Sequence, residues 1–242
     1  MAFARKWQVW ALVAVATFWA CFGPTGMAAA AVVTVPGTSN PWLAGMLDGT
    51  DAGWNDVAPA QSPVLVTGIV LVPGGWVEVS ATGEVKNGHG AGPLYPPDGM
   101  PDSWDWWHPA QLSKSGIVTP GNSLLGVFLD DNVPSGDAPP FLNFSSVEAR
   151  DYLTLAPVLN QVFFMGDGMT STGVQQSILV PAGATRLFLG TMDGMEWNNN
   201  EGAFVAEVKS SAIPEPSTLI VWSLLGASGV GIGWWRRRRR AA

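Results

Sequence analysis

The 242-residue sequence predicts an all-β domain, a β-sandwich, set between two targeting segments. Three observations lead there. The apolar runs are short, one of them changes character at every second residue, and Gly and Pro punctuate the gaps between runs. Residues 63–72 form the first run, and Pro73-Gly74-Gly75 turns it into residues 76–82. There Val77, Val79 and Ala81 alternate with Trp76, Glu78 and Ser80, placing one set on a core face and the other outside. Residues 124–129 and 161–165 are further apolar runs. Residues 178–180 end at Pro181-Ala182-Gly183-Ala184 and lead into 186–192. Residues 203–208 close the set, with Phe204, Ala206 and Val208 on one side. The Pro-Gly turns after Val72 and Val180 predict reversals between antiparallel strands. Residues 146–159 predict a short helix, with Ser146 as its cap and Glu148 near its first turn. Residues 83–115 and 130–143 lack such patterning and are dense in Gly, Pro, Asp and Trp. Loops of that length are usually functional or mobile.

The two ends carry address signals. Arg5 and Lys6 precede an apolar stretch, residues 9–20, and Ala28-Ala29-Ala30-Ala31 offers small-residue cleavage positions, so residues 1–31 predict a Sec signal peptide cut after Ala30 or Ala31. Phe18-Trp19-Ala20 before Cys21 lacks the leucine of a lipoprotein signal. Cys21 is the sole cysteine, so the exported chain folds without disulfides. Residues 32–210 then form one domain, and 211–242 the C-terminal segment. Seven of the 12 basic residues lie in the two ends, so the overall charge of −7 understates the acidity of the domain. Between them, Lys86, Lys114, Arg150, Arg186 and Lys209 face a large excess of Asp and Glu. Such a surface repels phosphates and excludes nucleic acid as a partner.

The C-terminal segment holds Pro214, Glu215 and Pro216, a mostly apolar stretch over 218–235, and Arg236, Arg237, Arg238, Arg239 and Arg240. A helix over that stretch would be about 27 Å long, close to a hydrocarbon core of about 30 Å. The arginines behind it would stay on the cytoplasmic side. This order of parts resembles the PEP-CTERM sorting tail. The resemblance implies a transient inner-membrane anchor, processing by an exosortase, and delivery to the cell surface or extracellular matrix.

Two stretches of the domain carry candidate chemistry. Residues 193–202 combine Asp193, Glu196, Asn198, Asn199, Asn200 and Glu201 with two glycines, between two predicted strands. Calcium takes six to eight oxygens, and this composition can offer them, although Asp, Asn and Gly also make ordinary turns. Upstream, Asp102-Ser103-Trp104-Asp105-Trp106-Trp107 leads into His108-Pro109-Ala110-Gln111. The tryptophans can serve as a sugar platform or as buried loop anchors. His89 reads as a turn residue, and Asp130, Asp131 and Asp167 as solvated loop acids.

Together the two stretches resemble the calcium-dependent, galactose-binding bacterial lectins, whose fold is a jelly-roll-like β-sandwich. The resemblance spans roughly residues 64–208 and weakens across 130–160. It implies that Asp193, Asn199 and Asn200 bind calcium through their side chains, with backbone carbonyls near Glu196 and Asn87 completing the set. It further implies that His108 and Gln111 meet the sugar hydroxyls beside Asp193 and Asn199. The loop is one residue shorter than the family's spacing, and Asn198 opens a second register. The expected protein is therefore an exported, non-enzymatic carbohydrate-binding protein with Ca²⁺ as cofactor and a galactose-like glycan or exopolysaccharide as ligand. The alternatives are a structural component of extracellular matrix or biofilm without sugar binding, and a glycan-processing enzyme, for which no acid pair is distinguished. One outcome is independent of the ligand: replacing Arg236 to Arg240 by neutral residues should disturb membrane retention and tail processing, read by fractionation and the mass of the surface form.

Overall fold

The computed structural model describes residues 29–88, 92–101 and 105–211. The expected leader up to residue 28, the whole sorting tail with Pro214, Glu215, Pro216 and Arg236 to Arg240, and His89, Asp102, Ser103 and Trp104 lie outside the described residues. In chain order the strands are β1 (Ala29–Pro36), β2 (Val64–Leu65), β3 (Trp76–Lys86), β4 (Asp105–His108), β5 (Ile117–Pro120), β6 (Leu124–Leu129), β7 (Leu142–Asn143), β8 (Thr154–Leu155), β9 (Val162–Phe164), β10 (Ser177–Leu179), β11 (Arg186–Thr191) and β12 (Glu201–Ser211). One helical turn, α1 (Val147–Arg150), and 3₁₀ turns at Pro41–Leu43 and Trp197–Asn199 complete the described elements. Among the described residues no helix is long and apolar enough to cross a membrane.

The strands form a five-stranded sheet ordered β1-β12-β3-β10-β8, a four-stranded sheet ordered β2-β11-β6-β9, and a small sheet ordered β4-β5-β7. The first two share one core, the arrangement of a β-sandwich. Val77, Val79, Ala81 and Val85 of β3 and Phe204, Ala206 and Val208 of β12 point into it from one side. Leu187, Leu189, Phe128 and Phe163 meet them from the other. The period-two alternation read for residues 76–82 holds and runs on to Lys86. In β6 every residue is buried. Its other face, Val127 and Leu129, joins Phe188 under Ala44 in a second apolar cluster. A strand covered on both faces reads as a continuous apolar run, which is how this one looks in the sequence.

Several expectations need correction. The first run shrinks to Val64–Leu65, because Gly68 takes a left-handed backbone, φ +86°, that ends the extended conformation. The Pro73–Gly75 and Pro181–Ala184 turns do not reverse the chain within a sheet. Each carries it from one sheet to the other, β2 to β3 and β10 to β11. The two corners are bonded together, Gly74 N–H donating to the Val180 carbonyl at 3.0 Å and Val180 N–H to that of Gly75 at 2.9 Å. The helix over 146–159 is a single turn. Ser146 does cap it, accepting from Ala149 N–H at 3.2 Å. The turn stops because the Arg150 and Tyr152 carbonyls accept from Gln176 Nε2, and Pro157 disfavours helix at the residue before it. Strand β4 lies within the stretch read as loop. Strand β1 was not anticipated. It pairs with β12 from Ala29↔Ser210 to Pro36↔Ala203 and so begins inside the span assigned to the leader.

A tight glycine contact offers a test of this packing. Gly168 has φ +87°, and a Cβ there would come within 1.7 Å of the Val79 carbonyl oxygen. Gly168→Ala should lower stability by more than about 1 kcal/mol from backbone strain alone, with the clash added. Urea unfolding checks it; a variant as stable as the unmodified chain would contradict the contact.

Candidate functional site

The β3/β12 ladder starts at Lys86↔Glu201, so Asn87 and Gly88 leave β3 beside Asn199 and Asn200 as they enter β12. Gly88 N–H donates to Asn200 Oδ1 at 3.1 Å, and Asn200 Nδ2 donates to the Gly37 carbonyl at 3.0 Å. One buried amide thus joins three stretches of chain. Around it opens a hollow of about 340 Å³ lined by Asn87, Gly88, Trp106, Asp193, Gly194, Met195, Glu196 and Asn199. Four of the sequence-predicted metal residues (Asn87, Asp193, Glu196 and Asn199) lie on its wall. Asn200 does not; it acts as the tie behind the wall.

Asp193 is buried, and its Oδ1 accepts from Gly194 N–H at 2.6 Å. Its Oδ2 makes no hydrogen bond of good geometry, although the Asn200 side chain lies near enough to favour the carboxylate, and Asn199 Oδ1 is likewise buried without a hydrogen bond. The Asn199 amide is oriented by its other end, where Nδ2 donates to Glu196 Oε2 at 3.1 Å. A buried polar atom left unpaired costs about 1–3 kcal/mol. Both residues line the hollow, and a carboxyl oxygen and an amide oxygen are hard donors of the kind calcium takes, so the chemistry of the residues present fits the ion. Among the described residues no three His, Cys, Asp or Glu side chains cluster as metal ligands, so a site here would rest on amide and carbonyl oxygens as much as on carboxylates. The Glu196 carbonyl already accepts from Asn199 N–H at 3.0 Å. The second register is not used: Asn198 is turned away, its backbone N–H donating to Asp56 Oδ1 at 2.9 Å and its Nδ2 to the Trp54 carbonyl at 2.8 Å.

His108 and Gln111 line an adjoining hollow of about 270 Å³ together with Asp56, Pro109 and Trp197, and this hollow shares Gly194 and Met195 with the first. Alternation along β4 turns Trp106 and His108 to the side opposite Asp105 and Trp107. Trp106 accordingly lines the first hollow, while Trp107 is 65% exposed on the other face. The His108 ring stacks on Trp42 at 3.5 Å between centroids and meets the edge of Trp197 at 5.6 Å. Its Nδ1–H donates to the Pro109 carbonyl at 2.8 Å. Nε2 is thereby left as the accepting nitrogen. Gln111 Nε2 donates to the Ala52 carbonyl at 2.7 Å, which fixes which end of the amide is its acceptor.

Sequence reasoning missed three supports. Trp42 is fully buried, its indole N–H donating to the Ser115 carbonyl at 3.0 Å. Asn40 capping the turn and Pro41 opening it were the readable signal. Trp197 is buried with its indole N–H on the Thr191 carbonyl at 2.9 Å. Asp56 is buried and accepts the backbone N–H groups of Trp197 and Asn198, capping the 3₁₀ turn from far along the chain. No local pattern announces a cap so distant in sequence.

No known family model matches the chain, and no curated protein matches it. Among solved structures it is similar to the N-terminal domain of EclA, described as a PllA-like lectin. The identity is 18%, the match covers 74% of this chain and 95% of that one, and the TM-score is 0.33. A likeness of that TM-score supports neither fold nor function by itself.

Two of the buried titrating groups, Asp193 and His108, make opposite demands on pH. Desolvation, partly offset by hydrogen bonds and reinforced by the Asp56 charge, raises the Asp193 carboxyl to about 6. Desolvation lowers His108 to about 4, against the pull of the Pro109 carbonyl. Between about pH 4 and 6 the unfolded chain has released the Asp193 proton while the folded chain keeps it, so this group lowers stability as pH rises. Over about pH 4 to 6.5 the unfolded chain binds the His108 proton while the folded chain does not, so this group raises stability as pH rises. In metal-free buffer Asp193→Asn should therefore steepen the rise of stability with pH over that window by roughly 2–3 kcal/mol, measured by urea unfolding.

Proposed function

We propose that this domain is a calcium-dependent carbohydrate-binding module for a galactose-like glycan, carried on an exported protein. The observation that carries the reading is that Asp193 and Asn199, each with a buried oxygen that makes no hydrogen bond, line one hollow. Beside it lies a hollow holding a neutral imidazole and an oriented amide. Asp193 and Asn199 would hold the ion through these oxygens, with the Asn87 and Glu196 carbonyls as further donors. Asn200 keeps the Gly88 turn against the loop. Calcium, when bound, supplies a hard charge to which two neighbouring sugar hydroxyls are drawn in place of water. His108 would accept a hydrogen bond from one sugar hydroxyl at Nε2, and Gln111 would accept one from another at its carbonyl oxygen. Trp42 and Trp197 keep the imidazole neutral and fixed, so little is lost in ordering it on binding. Recognition of this kind involves no covalent step, so the protein is read as a binder and not as an enzyme. Modest affinity per site would be raised by many copies on one surface.

The address signals complete the proposal. The leader would take the chain through Sec. The tail would hold it in the inner membrane until an exosortase passes it to the surface or matrix. A matrix or biofilm component using the same sandwich without sugar is the competing reading, and the experiment separates the two.

Calorimetry with a methyl galactoside, with calcium and with chelator, should show binding only with calcium. Binding that persists in chelator removes the metal from the mechanism, and no binding in either condition favours the matrix role. In thermal unfolding, calcium at a hundred times its dissociation constant should stabilise the chain by about 2.7 kcal/mol. Asp193→Ala should abolish that shift. His108→Phe, which retains an aromatic ring on Trp42 but lacks Nε2, should keep the shift while weakening sugar binding about tenfold or more.

A further inference from the structure

We infer that Trp54 forms a second sugar subsite, an aromatic platform for the ring next to the galactose-like unit, so that the preferred ligand contains at least two hexoses. The inference rests on the calcium-dependent sugar reading above and concerns a residue that reading does not use.

Trp54 lines the hollow of His108 and Gln111, yet its own side chain is 61% exposed. It differs in this from Trp42 and Trp197, which are buried with their N–H groups bonded to carbonyls. Its backbone is left-handed, φ 56°, and Asn55 follows at φ 66°. For a bulky residue that conformation costs about 1–3 kcal/mol and persists only where the surroundings impose it. Here they do. Asp51 and Val57 close the loop as a β-bridge. Ala52 N–H donates to the Asp56 carbonyl at 2.8 Å, and Asp56 N–H to that of Gly53 at 2.9 Å. Gly53 N–H donates to Asp51 Oδ1 at 2.7 Å.

The same loop is tied to both halves of the site. Ala52 accepts from Gln111 Nε2 at 2.7 Å, and the Trp54 carbonyl accepts from Asn198 Nδ2 at 2.8 Å. The Asp56 carboxylate meanwhile holds the turn that carries Asn199. A loop so anchored loses little backbone freedom when the indole it carries is covered, and the exposed indole gains burial when a ligand arrives. A pyranose presents such a partner: one face is a patch of C–H groups, while its hydroxyls point outwards to polar neighbours. The ligand is neutral, which suits a loop carrying Asp51 and Asp56 and no basic residue. Trp54 shares the hollow of about 270 Å³ with His108 and Gln111, so a ring next to the one they hold would meet the indole along the same surface.

The test is calorimetry on the full-length protein in calcium, comparing a methyl galactoside with a galactosyl-galactose disaccharide. The unmodified chain should bind the disaccharide roughly three- to tenfold tighter. Trp54→Gly should bring that ratio close to one, and Trp54→Tyr should keep most of it. Glycine suits the left-handed backbone, so Trp54→Gly should unfold at the same temperature or higher, and a lost ratio then reflects the missing ring. A ratio unchanged in Trp54→Gly, or a ratio of one in the unmodified chain that still binds both sugars, overturns the subsite alone. An unmodified chain that binds neither sugar overturns the calcium-lectin reading and the subsite with it.

Discussion

The antiparallel ladder between β3 and β12 spans eleven residues of each strand and positions nearly everything at the candidate site. Its register is set by burial. Val77, Val79 and Ala81 face inward opposite Ser210, Val208 and Ala206, and a slip of one residue would turn each apolar side chain out to water. That slip would also move the strand ends by about 3.4 Å, enough to break a hydrogen bond. The Gly88 N–H would then miss Asn200 Oδ1, and Asn87 would no longer sit beside the loop of Asp193. Apolar patterning in the core thus fixes polar geometry beyond its edge.

Polar groups are buried at the site to an extent that works against stability. Asp56, His108, Asp193 and Asn200 are all buried there. Desolvation raises both aspartates and lowers the histidine. Most of these groups are tied to backbone: Asp56 caps a turn, Asn200 bonds Gly88 and Gly37, and His108 is stacked and bonded to Pro109. Asp193 Oδ2 and Asn199 Oδ1 are the exceptions on the hollow's wall. Where neighbouring polar atoms are so fully paired, leaving two oxygens bare is a cost the fold meets without any gain in packing.

The sequence was most legible where local chemistry and burial agreed. The run 124–129 coincides with β6, Arg186–Thr191 covers all but the last residue of the run expected over 186–192, and Glu201–Ser211 contains the run expected over 203–208. Ser146 capped what it was expected to cap, but Tyr152 and Gln176 ended the helix through contacts far along the chain. The Pro-Gly turns were found but misread, since the same residues that reverse a hairpin also turn a corner between sheets. Strand β1 was hidden because a run of alanines and valines after an apolar leader has the composition of either segment. At the site, Asp193, Glu196, Asn199 and Asn87 were each singled out from sequence, and they share a wall. Trp42, Trp54 and Asp56 were not: Asn40 and Pro41 mark the turn at Trp42 but not what its ring touches, and nothing near the other two in sequence marks their partners.

By itself, then, the sequence determined an all-β domain with its strand faces, a net-acidic composition, and the residue types available for chemistry. Those follow from composition and from a period of two, which are properties of neighbouring residues. Only the tertiary structure decided that Asn199 and not Asn198 turns to the hollow, that Asn200 ties instead of lining, and that Asp56 holds the loop from 142 residues away. These depend on which strand ends are brought together and on which polar atoms remain unpaired after packing. Neither can be read from a residue's own neighbours, because both are settled by parts of the chain that meet only when it has folded.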